Sequence, residues 1–471
     1  MTQQPANPAW NRDLGPMLER TLLHAEGWLS SLPDRPVAPA ATPAEMFARF
    51  DEPLPEGSMA AVEVVDLLAR LTEPGLTAFG SGRFFGFVIG GTVPAALGAD
   101  LLATAWDQNA GLRAVTPAAA VVEEVAGGWI RELLGLPAQA TVGFVTGGNM
   151  ASFSGLAAAR HHVLAATGWD VERDGLQGAP PVRVIAGRDR HATIDTSLRY
   201  LGLGAGATQL VATDAQARID VDDLRRTLES AAGPTIVCLA AGNVNTGSFD
   251  EFEPAITVSH EHGAWVHVDG AFGLWAAASP QTRALTAGVN QADSWSTDAH
   301  KWLNVPYDSG LVIVAHPDSH RATFGVSAAY LVQDKVTADP MDLVPEFSRR
   351  ARGFAVWAAL KSLGRQGVVE LGDRLCAMAR QMAEQLAEIE GCRVVNDVVL
   401  NQVLVRFDDS DAITQDVVRR VVSSGDAYVG PSTFKEQSCM RISVCNGWTT
   451  SDDIKRTADV ITKSLRSARA G

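Results

Sequence analysis

The chain has 471 residues, of which 46% are hydrophobic and 20% are charged, as is usual for a soluble globular protein. A chain of this length predicts about two to four domains. The formal net charge of −15 and the pI of about 5.1 argue against a general nucleic-acid binder, because phosphate backbones attract basic surfaces. The same negative charge argues against docking on an anionic membrane.

The five cysteines are odd in number and form no CxxC pair. This usage argues against a disulfide framework and against a zinc site, so we expect no metal, and it favours the reducing cytoplasm. The N-terminal segment lacks the apolar core of a secretory signal. The most apolar long stretch, residues 84–106, is broken by Gly, Pro and Asp, and we interpret it as buried protein rather than a membrane span.

The pattern of apolar residues divides the chain into three predicted parts. Residues 1–80 show helical spacing at 11–32 and 59–71, on either side of a Pro- and Ala-rich arm around one short helix. Residues 81–360 alternate helices with short apolar runs, which predicts a large α/β domain with a mostly parallel sheet. Its predicted strands are 182–186, 209–212, 235–240, 265–268, 294–296 and 311–315.

Residues 361–471 predict a smaller α+β domain. They contain a long helix at 368–389, strand-like runs at 403–407 and 441–444, and a final helix at 452–467. In parallel sheets ligands bind beyond the carboxyl ends of the strands, so the residues that follow each predicted strand of the large domain are the ones to inspect.

Two charged residues follow apolar strands in that region. Asp269 ends the run Trp-Val-His-Val-Asp, where a carboxylate costs free energy unless it is paired. It is either a cap or buried ion pair, or a partner for a cationic ring nitrogen. Lys301, between His300 and Trp302, comes just after another strand and is either a surface lysine or a nucleophilic amine.

A glycine turn and a histidine complete the set. Gly147, Gly148 and Asn149 lie between an apolar strand and a helix, where backbone N–H groups and the helix dipole favour a phosphate, although an ordinary turn has the same sequence. His191 follows the strand at 182–186, where an imidazole is either structural or stacks on a ring. Together these residues favour an enzyme that carries pyridoxal 5′-phosphate (PLP) as a Schiff base on Lys301.

These motifs resemble the group II PLP-dependent amino-acid decarboxylases, the family of the aromatic-amino-acid, histidine and glutamate enzymes. The similarity is most specific in the run His-Val-Asp269-Gly-Ala271 and in Ala-His300-Lys301-Trp. It implies fold type I, the aspartate-aminotransferase-like fold, and a cytoplasmic homodimer in which residues 1–80 wrap around the second subunit. It also implies a PLP-dependent carboxy-lyase that converts an L-amino acid to its amine and CO2.

The resemblance assigns roles residue by residue. It makes Lys301 the Schiff-base lysine, Asp269 the partner of the pyridine nitrogen, His191 the stacking histidine, and Ala271 the contact on the opposite ring face. The residues that it implies for the phosphate end are Gly147, Gly148, Asn149, Asp298 and His300. It also implies a contact from the loop beside the cofactor, for which we name Asn245, while the choice among Asn243 to Thr246 stays open.

Tyr330 resembles the mobile-loop tyrosine that protonates the substrate carbon in this family, although a tyrosine that only packs in its loop is the alternative. Family members with phenylalanine there tend to form aldehydes, so Tyr330 favours simple decarboxylation. Phe79, Phe87 and Asn109 match substrate-pocket positions. The last two depart from the aromatic decarboxylases and put an aromatic substrate in doubt.

Two sets of arginines are interpreted as structural rather than substrate-binding: Arg349, Arg350 and Arg352, and separately Arg441. The alternatives to decarboxylation are another PLP reaction on the same fold, such as an aminotransferase or an aldehyde-forming oxidative decarboxylase, and a catalytically inactive binding protein. A nucleotide-binding protein is disfavoured, because the chain has no GxxxxGKS/T run and no GxGxxG after its first strand.

Overall fold

The computed structural model describes residues 13–326 and 338–470. Its helices are α1 Leu14–Ser31, α2 Pro43–Phe50, α3 Ala61–Thr72, α4 Pro94–Trp106, α5 Pro117–Leu133, α6 Gly148–Ala165, α7 Val171–Asp174, α8 Ala192–Tyr200, α9 Val221–Glu229, α10 Phe252–Glu261, α11 Pro317–Phe324, α12 Gly353–Ala387, α13 Asp411–Ser424 and α14 Ser451–Ala470. Its strands are β1 Phe84–Phe85, β2 Thr141–Val145, β3 Arg183–Gly187, β4 Gln209–Val211, β5 Thr235–Ala240, β6 Trp265–Asp269, β7 Ser294–Asp298, β8 Gly310–Val314, β9 Cys392–Val394, β10 Gln402–Phe407, β11 Tyr428–Phe434 and β12 Gln437–Ser443.

A seven-stranded sheet forms the centre of the chain, in the order β2-β8-β7-β6-β5-β3-β4. The pairs from β4 through β7 are parallel, whereas β8 runs antiparallel to both of its neighbours. The carboxyl ends of β3, β5, β6 and β7 therefore meet at one edge. This confirms the predicted α/β fold with a mostly parallel sheet.

Helices cover both faces of this sheet, which is why its central strands are apolar along their whole length. On one face the small residues of α6 let the helix approach the sheet closely. At Gly155, for example, a Cβ atom would lie only 2.8 Å from Cε1 of the buried His267 on β6, which is too close for any side chain. On the other face the main apolar core includes Ile130 of α5 and Val356 of α12.

A second sheet lies in the C-terminal part, in the order β1-β11-β12-β10-β9. The strands β9 to β12 are antiparallel neighbours, and the short β1 adds in parallel to β11, with Phe84 opposite Tyr428. Residues from the predicted large domain thus complete the C-terminal sheet. The domain limits 1–80, 81–360 and 361–471 remain predictions.

The N-terminal helices α1, α2 and α3 contain no buried residue. Their apolar side chains are largely solvent-exposed: Leu14, Leu18, Leu22, Leu23, Leu29, Phe47, Phe50, Val64 and Leu68. An apolar surface of this extent is unusual on a monomer and marks an interaction surface. None of the helices in the described ranges has both the length and the apolar character needed to span a bilayer.

The predicted elements agree with the structure except at some boundaries. The short helix predicted within the Pro- and Ala-rich arm is α2, which begins with a capping box between Thr42 and Glu45. The helix predicted at 368–389 is wrong at its start, because α12 begins at Gly353. Gly364, with φ +63°, kinks α12, and the break in helical geometry interrupts the periodicity on which the prediction depended.

Candidate active site

A cavity of about 250 Å³ lies at the carboxyl ends of β3, β5, β6 and β7. This is the edge where a parallel sheet binds its ligands. Seven of the predicted residues share its wall: Gly148, Asn149, His191, Asp269, Ala271, Asp298 and Lys301. The fold therefore brings together sequence positions more than 150 residues apart.

Asp269 is the last residue of β6. Its Oδ1 accepts a hydrogen bond from the N–H of Ala271 at 3.2 Å, and its backbone carbonyl accepts from Ala241 on the neighbouring loop. Within the described ranges this carboxylate forms no ion pair with an arginine, lysine or histidine. An acidic group held at a strand end without a cation is suited to a positively charged ligand atom.

Lys301 follows β7 in a tight loop. Its N–H donates to the carbonyl of Asp298 at 3.2 Å, and its carbonyl accepts from the Asn304 side chain at 3.3 Å. Its Nζ lies 5.8 Å from the centre of the Phe272 ring and forms no ion pair with any described residue. The loop is packed from outside by Gly90, where a Cβ would lie 2.1 Å from the Lys301 carbonyl oxygen, so only glycine fits.

Asp298 joins the lysine loop to the glycine turn. Its Oδ1 accepts from the N–H of His300 at 3.0 Å and its Oδ2 accepts from the N–H of Gly148 at 3.1 Å. Burial raises the pKa of Asp298 to about 6, and nearby Lys301 opposes that rise. The next N–H groups of α6, those of Asn149 and Met150, open the helix and make no intrahelical bond, as at any helix start.

His300 is buried beside this turn but does not line the cavity. Its Nδ1 donates to the carbonyl of Val305 at 2.7 Å, and its ring lies 3.4 Å from that of Tyr307, centre to centre. Burial lowers the pKa of His300 to about 4, so the ring is neutral at pH 7. With its one proton on Nδ1, the buried Nε2, which has no partner among the described residues, is an acceptor.

His191 caps the N-terminus of α8. Its Nδ1 accepts from the backbone N–H of Thr193 at 3.3 Å and lies 2.7 Å from the Thr193 hydroxyl, which fixes the orientation of the ring. The ring is partly open to solvent, yet the cavity walls lower the pKa of His191 by desolvation. Asp269 opposes this effect, and Lys301 and Arg441 add to it. His191 is thus a neutral, oriented ring close to both functional charges.

Several predicted residues lie away from the cavity wall. Asn245 accepts a hydrogen bond from Ser432 at 2.6 Å, and its neighbours Gly242, Asn243 and Val244 line the cavity instead. Gly147 does not line the cavity and packs against Gly310. A Cβ atom on Gly310 would lie 2.4 Å from the carbonyl of Gly147.

The predicted substrate residues also lie elsewhere. Phe79 packs edge-on against Phe84, Phe87 is 58% exposed, and the Asn109 side chain bonds Gly111 and Ser348. Tyr330 lies outside the described residues.

The arginine predictions had different outcomes. Arg349 is structural as predicted: it forms a buried, two-bond pair with Glu123 at 2.7 Å, and Arg350 and Arg352 likewise pair with Asp100 and Asp308.

Arg441, also interpreted as structural, differs. It lies in the middle of β12, and its side chain makes no hydrogen bond or ion pair to any described residue. Burial lowers its pKa, and it is close enough to lower the pKa of His191. An arginine between Met440 and Ile442 within a strand was the available sequence signal.

The residues present fit PLP. His191 and Ala271 would offer an imidazole face and a methyl group to a flat ring, and among the described residues Asp269 is a carboxylate without a cation and Lys301 is an amine without an anion. With the N–H groups at the start of α6, these residues would meet the four chemical needs of a phosphorylated pyridine aldehyde. The same cavity contains no other unpaired amine among its described lining residues.

The family model described as the pyridoxal-dependent decarboxylase conserved domain matches residues 43–408, more than half of the chain. Among curated relatives, the aromatic-L-amino-acid decarboxylase of Bacillus atrophaeus is 26% identical over 449 residues and covers 90% of both chains. The cysteine sulfinic acid decarboxylase of Homo sapiens is 28% identical over 325 residues, which cover 67% of this chain and 65% of the relative.

Solved structures share the fold over nearly the whole chain. The Oryza sativa TDC, crystallised with PLP and tryptamine, superimposes with a TM-score of 0.91 at 23% identity and 99% coverage of both chains. Mouse CSAD gives 0.88 at 21% identity, with 96% of this chain and 99% of that one covered. The chain therefore belongs to the pyridoxal-dependent decarboxylase family, and it is a PLP-dependent carboxy-lyase of fold type I.

Proposed function

We propose that this enzyme removes the carboxylate of an L-amino acid at the cavity described above and releases the amine and CO2. One observation carries the assignment of the site: Lys301 and Asp269, each without an ion-pair partner among the described residues, line the same cavity as the oriented ring of His191. Charges left unpaired at a strand edge are costly in the absence of a ligand that pairs them.

When bound, PLP supplies a protonated aromatic ring that accepts the electron pair left on the substrate carbon when CO2 departs. Asp269 would hold the proton on the ring nitrogen. Lys301 would bind the aldehyde carbon through its Nζ and would afterwards provide an amine that accepts and returns protons. His191 would cover one face of the ring and exclude water from it. Ala271, with only a methyl group, would leave room on the other face.

Arg441 supports an amino-acid substrate. Its half-buried guanidinium forms no ion pair with a described carboxylate, and it would become paired when a substrate carboxylate enters. Arg441 contributes to lowering the pKa of His191, which supports a substrate carboxylate on the side of the cavity where His191 lies. We therefore assign Arg441 to substrate carboxylate binding, in place of the structural role that its sequence suggested.

Decarboxylation to the amine, rather than formation of an aldehyde, is proposed from the residue type at position 330. A tyrosine there provides a hydroxyl that delivers a proton to the substrate carbon, which completes the reaction without oxygen. The proposal concerns the residue type alone, because Tyr330 lies outside the described residues.

A homodimer is proposed from the exposed apolar side chains of α1 to α3. These helices have no buried residue of their own, so they need a second surface to cover them.

We also propose a cytoplasmic location, which the five free thiols support.

The test is a product screen with purified, PLP-loaded enzyme. The standard and hydroxylated aromatic amino acids, glutamate, aspartate and cysteine sulfinate are incubated one at a time, and amine, CO2, ammonia and aldehyde are measured. Amine with CO2 and without ammonia supports the proposal. Aldehyde with ammonia identifies oxidative decarboxylation instead, and a keto acid formed without CO2 identifies transamination.

A further inference from the structure

The loop between β3 and α8 is connected to the C-terminal sheet by an ion pair. Asp189, two residues before His191, lines the cavity. Its Oδ2 accepts from Nζ of Lys435 at 2.6 Å and also from the hydroxyl of Thr213. The same Nζ donates to Thr213 Oγ1 at 3.1 Å, so the three side chains form a closed triangle.

Lys435 occupies a two-residue turn between β11 and β12. Lys435 and Glu436 both have left-handed backbone, with φ +47° and +64°, as a tight hairpin of this kind requires. The preceding Phe434 is buried in a small apolar cluster with Leu404, Cys439 and Ala217, and Ala217 also lines the cavity. An apolar contact therefore holds the tip of the hairpin in place, and the amine of Lys435 reaches the Asp189 loop from that support.

Further contacts connect the same hairpin and its sheet to the neighbouring strand-end loop. Ser432 Oγ donates to Asn245 Oδ1 at 2.6 Å, and Asn396 Nδ2 donates to the carbonyl of Thr246 at 2.8 Å. The C-terminal sheet thus borders two of the loops that form the cavity wall. The position of this sheet is therefore coupled to the positions of the two loops.

Within the seven-stranded sheet the Asp189 loop has two other supports. Asn243 Nδ2 donates to the Asp189 carbonyl at 2.9 Å, and Arg190 forms a two-bond pair with Asp195 at 2.8 and 3.0 Å. Both fix the backbone on either side of residue 189. The Asp189 carboxylate itself is held by Lys435 and Thr213.

We propose that Lys435 is a positioning residue for the cofactor site: by clamping Asp189 it sets the place of the loop that carries His191. The inference rests on the cofactor site proposed above and adds to it a residue from the C-terminal sheet that lines no part of the cavity. An ion pair with side chains 40% and 22% exposed contributes little to overall stability, so its effect is on the placement of the loop.

The test compares Lys435→Met, Asp189→Asn, the double variant and Lys435→Arg with the wild type. PLP affinity is measured by titration of the apoenzyme, and circular dichroism in the PLP band reports the asymmetry of the ring's surroundings. We expect each single variant to weaken PLP binding about two- to fivefold, the range for one exposed ion pair, and to lower the circular dichroism per bound PLP. The double variant should be no worse than either single one, and Lys435→Arg should recover most of the signal.

Lys455→Met is the matched control, because Lys455 also forms an exposed ion pair, with Asp452 at 3.4 Å, far from the cavity. The clamp is refuted if the two single variants bind PLP with wild-type affinity and dichroism, or if their effects add in the double variant. Tighter binding in Asp189→Asn would also refute it, because it would show that Lys435 only neutralises a charge. A wild type that binds no PLP at all would instead overturn the cofactor site on which the clamp depends.

Discussion

Gly148 donates its backbone N–H to the carboxylate of Asp298 at 3.1 Å, which ties the first turn of α6 to the loop that carries Lys301. The two residues are 150 positions apart in the chain. Asp298 also accepts from the N–H of His300, so one buried carboxylate organises both the glycine turn and the lysine loop. The relative placement of the amine and of the helix N-terminus is therefore set by the protein's own hydrogen bonds.

Substitution of Lys301 should abolish covalent attachment of the cofactor. In Lys301→Ala the absorption band of lysine-bound PLP near the visible edge should be absent, and decarboxylation should be undetectable, because no amine is left to hold the aldehyde carbon. The measurement is an absorption spectrum after incubation with PLP and gel filtration. Lys361→Ala, a lysine on α12 near Trp129, is the control and should keep the band. A band that survives in Lys301→Ala would contradict the site.

Asp269→Asn removes the charge that keeps the ring nitrogen protonated while preserving the size of the side chain. We expect kcat to fall about 10²- to 10³-fold, the typical effect of losing one preorganised electrostatic contact. Substrate KM should change little, because Asp269 faces the cofactor rather than the substrate. Steady-state kinetics on PLP-saturated enzyme decide this, and a kcat within threefold of the wild type would be incompatible with the proposed role.

Arg441→Met should separate substrate binding from stability. Loss of a charge-assisted contact to the substrate carboxylate should lower kcat/KM about 10- to 100-fold. The melting temperature without substrate should stay the same or rise, because a half-buried charge with no partner among the described residues is removed. PLP affinity should remain close to that of the wild type. A fall in melting temperature with unchanged kcat/KM would restore the structural interpretation.

Stability should decrease on acidification from neutral pH. Burial lowers the pKa of His267, His300 and His320 from 6.5 to about 4, so the unfolded chain takes up protons below pH 6.5 that the folded protein takes up only near pH 4. The stabilising contribution of these histidines is fully present above pH 6.5 and is lost as the pH falls from 6.5 to about 4. Asp250 and Asp298 instead increase the stability as the pH falls from 6 to 3.8, because burial raises the pKa of each to about 6.

Because the three histidines outnumber the two carboxylates, the net result should be a loss of stability as the pH falls from about 6.5 toward 4. Thermal or urea unfolding at closely spaced pH values measures it. In His320→Gln the number of protons taken up on unfolding near pH 5 should drop by up to about one. An unfolding free energy that does not change between pH 7 and 5 would contradict these buried, neutral imidazoles.

The apolar surface of α1 should be needed for assembly. Leu18→Asp and Leu22→Asp place charges on exposed positions, and we expect them to convert a dimer to a monomer in analytical ultracentrifugation. Leu210→Asp, on β4, is a matched control because Leu210 is 47% exposed and Leu18 is 48% exposed. If the wild type is itself a monomer, the proposed assembly is wrong.

Much of the site followed from local sequence. Asp269 and Lys301 were identified because a charge directly after an apolar strand has few structural reasons to be there, and the strand-end rule then placed both at one edge. Asn245 was named from the family resemblance, yet its side chain bonds Ser432, because the direction of a loop side chain depends on what packs against it from another sheet.

The sequence by itself determined the alternation of strands and helices, the family, the cofactor and the residues at the strand ends, because these depend on periodicity and on short motifs. Only the tertiary structure decided that Arg441 has no partner in the part of the chain that the structure describes, that Lys435 reaches the Asp189 loop, and that Phe79, Phe87 and Asn109 lie outside the cavity. Such pairings join positions up to 246 residues apart. Whether a charge is paired depends on contacts across sheets, and no local pattern records those contacts.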